Sequence, residues 1–359
     1  MVRWIAWNVL LFLVTLAPFV PALGQVDAIV ANPLDEVRDA WRSATVNSGL
    51  AGKIRIDGSS TVYPISEAVA AAFKKLFPKV SISLGQSGTG GGFKRFSVGD
   101  CDITDASRPI KSTELEACRR NDITFIEIPV AYDGLTVVVN PKSTFIQSLT
   151  VDQLQKIFLA DGAARTWKDV NSAWPNLPIR VYAPGTDSGT FDYFKEVLVG
   201  NTPVSMRADM STSEDDSILV NGVAGDPNAI GFFGAAYFFQ NQDKLRAIPI
   251  VNPDSGEAVS PNAQTIEDGS YAPFSRPLFI YLNHKSINQA QVEQFVEYYL
   301  AMAGTFAEQV GYVRLPEQVY QTAMTNFLDE NLGTHYLNGT LEKRSGPVTA
   351  IYRAENRVE

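Results

Sequence analysis

The sequence predicts an α/β protein with two lobes, and three observations support this fold class. The chain of 359 residues is too long for one typical hydrophobic core. Short apolar runs with strand spacing alternate with segments of helical spacing, an order typical of a parallel sheet covered by helices. The predicted strands at 125–130 and 135–139 and the apolar run at 278–282 are placed to carry the chain between the lobes, which predicts a hinge and a cleft.

The elements of the first lobe follow from the spacing of apolar residues. One helical face repeats every three or four residues from Ile65 to Leu76, with Pro64 near its start. A glycine-rich turn opens a second helix, which runs through Phe96. Alternating or β-branched runs predict strands at 53–56, 80–84, 125–130 and 135–139.

A second lobe begins after Asn140, where Asn-Pro ends a strand. Helical spacing recurs at 149–158, 191–199, 292–299 and 319–327, and strands are predicted at 179–182, 229–233 and 278–282. Residues 26–50 contain one short helix, over 34–41. The predicted division is a signal peptide at 1–24, a linker at 25–50, a first lobe at 51–135 plus 276–359, and a second lobe at 136–275.

The N-terminus predicts export. Arg3 provides a basic start, 9–20 is mostly apolar, and 21–24 supplies small residues for cleavage. An uncleaved membrane anchor is the alternative, although the apolar run is short for a membrane span. No cysteine lies near the cleavage site, so we expect a periplasmic protein without a lipid anchor. The formal net charge of −9 argues against nucleic acid or an anionic membrane as a partner.

Cys101 and Cys118 are the two cysteines of the chain. An even pair in an exported protein predicts a disulfide, with two separate thiols as the alternative. Two histidines and no Cys/His spacing give no sign of a metal site, and we expect neither a metal nor a cofactor.

Three Ser/Thr/Gly segments carry the functional prediction. They contain Ser59, Ser60 and Thr61, then Thr89, then Ser188, Gly189 and Thr190. Each lies between a strand-like run and a predicted helix, where free backbone N–H groups and hydroxyls favour anions. Any one of them could be a plain helix cap, but three in one chain suggest a single small oxyanion.

At these segments the chain resembles the PstS-type phosphate-binding proteins. The resemblance extends over 52–330 and is carried by the runs 58–64, 88–93, 102–109 and 187–190, with support from 133–141, 231–234 and 275–280. It implies a two-lobe periplasmic-binding-protein fold of type II, with mixed sheets flanked by helices and one phosphate in the cleft. It also implies the permease of a phosphate ABC transporter as partner, and we expect a monomer.

The chain departs from this family pattern at two places. The stretch 183–185, where many family members carry an arginine shortly before Ser-Gly-Thr, contains none, and Ser107 stands where the family carries an acceptor aspartate. We therefore predict Arg108 as the cation, with Arg207 in reserve, because a guanidinium forms strong paired bonds to an oxyanion. The acceptor of the phosphate proton is predicted as Asp105 or Asp187, each of which could instead be a turn residue.

Enzyme functions find little support in the sequence. The segment 185–190 is not a G-x-S-x-G nucleophile elbow, and 88–93 is not a phosphate loop of a nucleotide-binding protein. A secreted phosphatase is the alternative of a different class, and a binder of sulfate or arsenate is the alternative within the same class. Selective phosphate binding would separate these hypotheses.

Overall fold

The computed structural model describes residues 33–46, 49–186, 188–200 and 203–359. The predicted signal peptide lies outside these residues. The helices are α1 (Pro33–Arg42), α2 (Tyr63–Leu76), α3 (Gly88–Phe96), α4 (Ser112–Arg120), α5 (Val151–Phe158), α6 (Trp167–Val170), α7 (Gly189–Val199), α8 (Asp216–Gly225), α9 (Ala235–Gln240), α10 (Ala263–Glu267), α11 (His284–Ile287), α12 (Ala290–Gln309), α13 (Glu317–Leu328) and α14 (Val348–Ile351). In this part of the chain, none is long and apolar enough to cross a bilayer.

The strands form one mixed sheet, with a small separate ribbon of β9 and β10. They are β1 (Ala51–Gly58), β2 (Lys79–Gly85), β3 (Ile103–Ala106), β4 (Phe125–Val139), β5 (Arg180–Pro184), β6 (Ser211–Ser213), β7 (Ala229–Gly234), β8 (Arg246–Ala247), β9 (Ile250–Val251), β10 (Ala258–Val259) and β11 (Ser275–Asn283). The order across the main sheet is β2-β1-β3-β11-β4-β7-β5-β6, with β8 beside β4. This arrangement, with helices flanking a curled sheet, confirms the predicted fold class.

The sheet has two halves that meet at β4. In the first half, β1 pairs in parallel with β2 and β3. In the second half, β5 pairs in parallel with β6 and β7. β4 pairs with β11 over Phe125–Gly134 and then with β7 over Leu135–Val139, so one strand belongs to both halves.

The sequence predicted two strands where the structure has the single strand β4. All fifteen of its residues are buried. The intervening Asp133 does not break the strand because its carboxylate is held by the guanidinium of Arg276, with Nε 3.2 Å from Oδ2. Gly134 is required by close packing, since a Cβ there would lie 2.7 Å from Ile266 Cδ1. The ion pair of Asp133 and the close packing at Gly134 therefore allow one continuous strand where two were predicted.

The N-terminal helix packs against other helices, and the C-terminal segment contacts the central strand. The predicted N-terminal helix is present as α1, and its Trp41 ring packs against Phe73, Phe77 and Tyr298. At the other end, the buried Glu127 of β4 accepts hydrogen bonds from Thr334 Oγ1 at 2.5 Å and from the backbone N–H of His335 at 2.8 Å. The C-terminal segment is thereby attached to the central strand.

The predicted disulfide is absent, and this prediction needs correction. Both Cys101 and Cys118 are buried free thiols. Each packs within the apolar core, as a small hydrophobic side chain does. Burial raises the pKa of both thiols to about 12, so neither forms the reactive thiolate readily.

Candidate functional site

The first predicted donor segment follows β1 and starts α2. The backbone N–H of Ser59 donates to the carbonyl of Asp105 at 2.9 Å, which ties the segment to β3. The N–H of Thr61 donates to Ser59 Oγ at 3.2 Å. Ser59 Oγ thus uses an acceptor site and keeps its proton free to donate. Ser60 forms no hydrogen bond with the described residues through its amide or its hydroxyl.

The second donor segment starts α3 and is joined to the residues after β3. Thr89 Oγ1 lies 3.0 Å from Ser107 Oγ and accepts a hydrogen bond from the Ser107 N–H at 3.1 Å. Ser107 was predicted only through the family resemblance, and the structure places it beside Thr89. The two hydroxyls therefore form one polar group on the wall of the site.

The third donor segment starts α7, in the second half of the sheet. Ser188 caps the helix by accepting a hydrogen bond from the N–H of Thr190 at 3.2 Å. A Cβ at position 189 would lie 2.8 Å from Thr61 Cα, so only glycine allows the start of α7 to approach the first segment this closely. The structure thus brings together segments more than 120 residues apart in the sequence. The neighbouring Asp187 lies outside the described residues.

The first two segments, together with residues of α7 and β11, line a cavity of about 250 Å³, which we call the anion cavity. It is lined by Ser59, Ser60, Thr61, Gly88, Thr89, Gly90, Ser107, Arg108, Asp192, Tyr193, Glu196 and Arg276. A second cavity of about 310 Å³ shares Ser60 and contains Ser188, Gly189 and Thr190. A larger cavity of about 730 Å³ lies elsewhere, near α9 and the start of α13, and contains none of the predicted site residues.

Arg276 of β11 is the cation that the sequence analysis missed. The central carbon of its guanidinium lies over the Tyr193 ring, 3.6 Å from the ring centre. Nη2 donates to Thr61 Oγ1 at 3.1 Å, and Nη1 lies 3.2 Å from a carboxylate oxygen of Glu196. With Asp133 beneath it, Arg276 is held at the bottom of the anion cavity with 14% of its side chain exposed. The sequence feature that could have pointed to this cation is a single charged residue in an otherwise mostly apolar run, 275–280.

Arg108 and Arg207 are placed differently from the prediction. Arg108 lines the anion cavity, but its two terminal nitrogens donate to the Glu114 carboxylate at 2.7 and 2.8 Å. Arg207 lies outside this cavity, where it pairs with Asp209 and donates to the carbonyl oxygens of Ile157 and Ala164. Arg207 therefore has a structural role, and the guanidinium of Arg108 is already occupied.

The carboxylates at the anion cavity are also not the ones that the sequence predicted. Asp105 does not line the anion cavity: it is buried, its Oδ1 accepts a hydrogen bond from Ser66 at 2.9 Å, and its Oδ2 has no partner. Burial raises the pKa of Asp105 to about 8. Asp192 and Glu196 of α7 do line the cavity, and partial burial raises the pKa of Asp192. Among the described residues, no three acidic, His or Cys side chains could hold a metal ion.

Comparison with known proteins identifies the relatives of this chain. Residues 43–302 match a PBP superfamily domain. Protein SphX of Synechococcus elongatus is 46% identical over 93% of this chain and 98% of its own length. The phosphate-binding protein PstS of Staphylococcus haemolyticus is 40% identical over 76% and 84%. A crystal structure of a possible phosphate-binding protein from Planctomyces limnophilus has a TM-score of 0.76 and 43% identity, covering 79% of this chain and all of the other.

Proposed function

Because the chain belongs to the PBP superfamily and is a relative of the PstS phosphate-binding proteins, we propose that it binds inorganic phosphate for uptake by an ABC transporter. The observation that carries this proposal is that the starts of α2 and α3, residues of α7 and the largely buried Arg276 line one small cavity, while the start of α7 lines an adjoining cavity that shares Ser60. Helix starts offer N–H groups and a positive dipole end to an anion.

The proposed ligand set differs from the sequence prediction in its cation. Arg276 supplies the positive charge from the bottom of the cavity, and Ser59, Ser60, Thr61, Thr89 and Ser107 donate from the first half of the sheet. Ser188, Gly189 and Thr190 complete the set from the second half. Arg108 is the second candidate for the cation, because it would have to leave Glu114 to reach the anion. Charge-assisted bonds of this kind are stronger than those between neutral groups.

The partner and the compartment are part of the same proposal. Residues 1–24 direct export, the mature protein works in the periplasm, and membrane permease subunits receive the phosphate. The protein acts as a monomer without catalysis. The lobes bend near 132–140 and 276–283, within β4 and β11, where the two halves of the sheet are joined.

One titration tests the proposal. The mature protein, residues 25–359, is titrated calorimetrically with phosphate, sulfate and arsenate, and then assayed for phosphate release from a chromogenic ester. We expect tight phosphate binding, no sulfate binding at the same concentration, and no hydrolysis. Equal binding of phosphate and sulfate, binding of neither, or release of phosphate from the ester would contradict the proposal.

A further inference from the structure

The anion cavity adjoins two other cavities, and the first of them is lined by negative charge. This is the cavity of about 310 Å³ that shares Ser60 with the anion cavity. Glu67, Glu214 and Asp216 line it, and no lysine or arginine of the described residues does so. A lining of carboxylates without a cation repels an approaching anion. This cavity is therefore an unfavourable route to the site.

The second neighbouring cavity, which we call the outer cavity, contains positive charge. It has a volume of about 550 Å³ and shares Arg108 and Arg276 with the anion cavity. Lys343 and Arg344 of the C-terminal segment also line it. Because Lys343 and Ser345 are exposed, the outer cavity extends from the solvent to the anion cavity.

Three of the four cations that line the outer cavity are already engaged. Arg276 and Arg108 are each held by a carboxylate. Arg344 donates to three backbone carbonyl oxygens of the C-terminal segment. The ammonium group of Lys343 forms no hydrogen bond or ion pair with any described residue. Its charge is therefore available to an anion in the outer cavity.

The loop that carries Lys343 is held in place. Leu337 and Lys343 pair as an antiparallel bridge. Within the loop, Asn338 Oδ1 accepts hydrogen bonds from the N–H groups of Thr340 and Glu342, at 2.9 Å each. The backbone of Lys343 is thus fixed beside the outer cavity, while its side chain stays exposed.

We propose that phosphate enters through the outer cavity and that Lys343 attracts it during entry. The outer cavity also contains carboxylates, and an unpaired ammonium group offsets the repulsion that they would exert on an anion; these carboxylates are Glu196, Asp254, Glu267 and Asp268. Because Lys343 does not line the anion cavity, it acts on the encounter and not on the bound state. This inference rests on the proposed function and adds to it a route of entry.

The test measures association and dissociation of phosphate separately, in the mature protein of residues 25–359. Calorimetry gives Kd, ³¹P exchange NMR gives the dissociation rate constant, and the dissociation rate constant divided by Kd gives the association rate constant. We expect Lys343→Glu to reduce the association rate constant by about 5- to 20-fold at low ionic strength and to leave the dissociation rate constant unchanged. Added salt should bring this variant close to the wild type, because it screens the charge. Lys343→Arg keeps the charge and should associate at the wild-type rate.

Two control variants separate the route from the net charge. Lys79→Glu makes the same change of net charge at the exposed start of β2, outside both cavities. Glu67→Gln removes a carboxylate from the cavity of about 310 Å³. Each control should change the association rate constant by about twofold at most, since salt screens charges that lie away from the route. The unfolding midpoint of every variant is compared with that of the wild type.

Each outcome has a distinct meaning. An unchanged association rate constant in Lys343→Glu, or an equal decrease in Lys79→Glu, would overturn the role of Lys343. A defect of Lys343→Glu confined to dissociation would also overturn it, because the ammonium group would then contact the bound anion. Association in Glu67→Gln that is faster by more than about fivefold would place the entry route in the other cavity. Wild-type protein that binds no phosphate would instead contradict the proposed function, so the two failures can be told apart.

Discussion

Removing Arg276 should damage both phosphate binding and stability, and the two effects can be separated. The guanidinium is the cation at the bottom of the anion cavity and also the partner of Asp133, whose side chain is fully buried. Truncating one member of a buried, hydrogen-bonded charge pair costs about 2–5 kcal/mol of binding, or about 30- to 5,000-fold in affinity. We expect Arg276→Met to weaken phosphate binding within this range.

The same change should destabilise the fold. Without Arg276, the Asp133 carboxylate is left in the core with no opposite charge, a situation that costs about 3–5 kcal/mol. Burial already raises the pKa of Asp133, and loss of the guanidinium should raise it further. The double variant Arg276→Met/Asp133→Asn removes the buried charge together with its partner, so its urea unfolding midpoint should recover much of the loss.

The two readouts decide the role of Arg276. The double variant should regain stability and still fail to bind phosphate at wild-type affinity, measured by calorimetry. Arg108→Ala is the control, because the Arg108 guanidinium is partly exposed and already paired with Glu114. Its phosphate affinity should decrease by about tenfold or less. Wild-type affinity in the double variant, or a larger loss in Arg108→Ala, would refute the assignment of the cation.

Three further outcomes are expected. Asp105 has a pKa of about 8 in the folded protein and an ordinary acidic pKa when unfolded, so the unfolded chain loses this proton first as the pH rises. The urea concentration at the unfolding midpoint should therefore decrease as the pH rises from about 5 to about 8, and it should decrease less in Asp105→Asn. Glu127→Ala should destabilise the protein by about 3–5 kcal/mol, since it removes the buried carboxylate that binds Thr334 and His335. The control Glu355→Ala, on the surface, should change the urea midpoint little. Saturating phosphate should reduce the radius of gyration in solution scattering, and at about 100 times Kd it should stabilise the fold by about 2.7 kcal/mol; an unchanged scattering curve would contradict hinge closure.

The donor segments could be predicted from sequence because their signals are local. A strand followed by Ser, Thr and Gly and then by helical spacing defines a helix start within a dozen residues, as at Ser59 and Ser188. The fold class followed for the same reason, since each strand and helix carries its own spacing. These local signals cannot show which segments come close together in space.

The remaining features depend on contacts that are distant in sequence. Arg276 lies more than 200 residues after Thr61, and its role becomes visible only when β11 is placed beside β4. The single strand β4 was predicted as two because Asp133 is polar, and its partner could not be known. The disulfide prediction was wrong because the number of cysteines says nothing about their placement, and both thiols are used in the apolar core.

The position of Arg276 links recognition of the anion to the hinge that we propose. Its strand β11 belongs to the joined part of the sheet, and its side chain contacts the first donor segment at Thr61 and helix α7 at Tyr193. An anion bound to this guanidinium is therefore attracted to the point where the two halves of the sheet meet. In the structure α7 already contacts the guanidinium, since Nη1 of Arg276 lies 3.2 Å from a carboxylate oxygen of Glu196. Because Asp133 holds Arg276 against β4, where we propose that the hinge lies, binding and closure should weaken together when this arginine is removed.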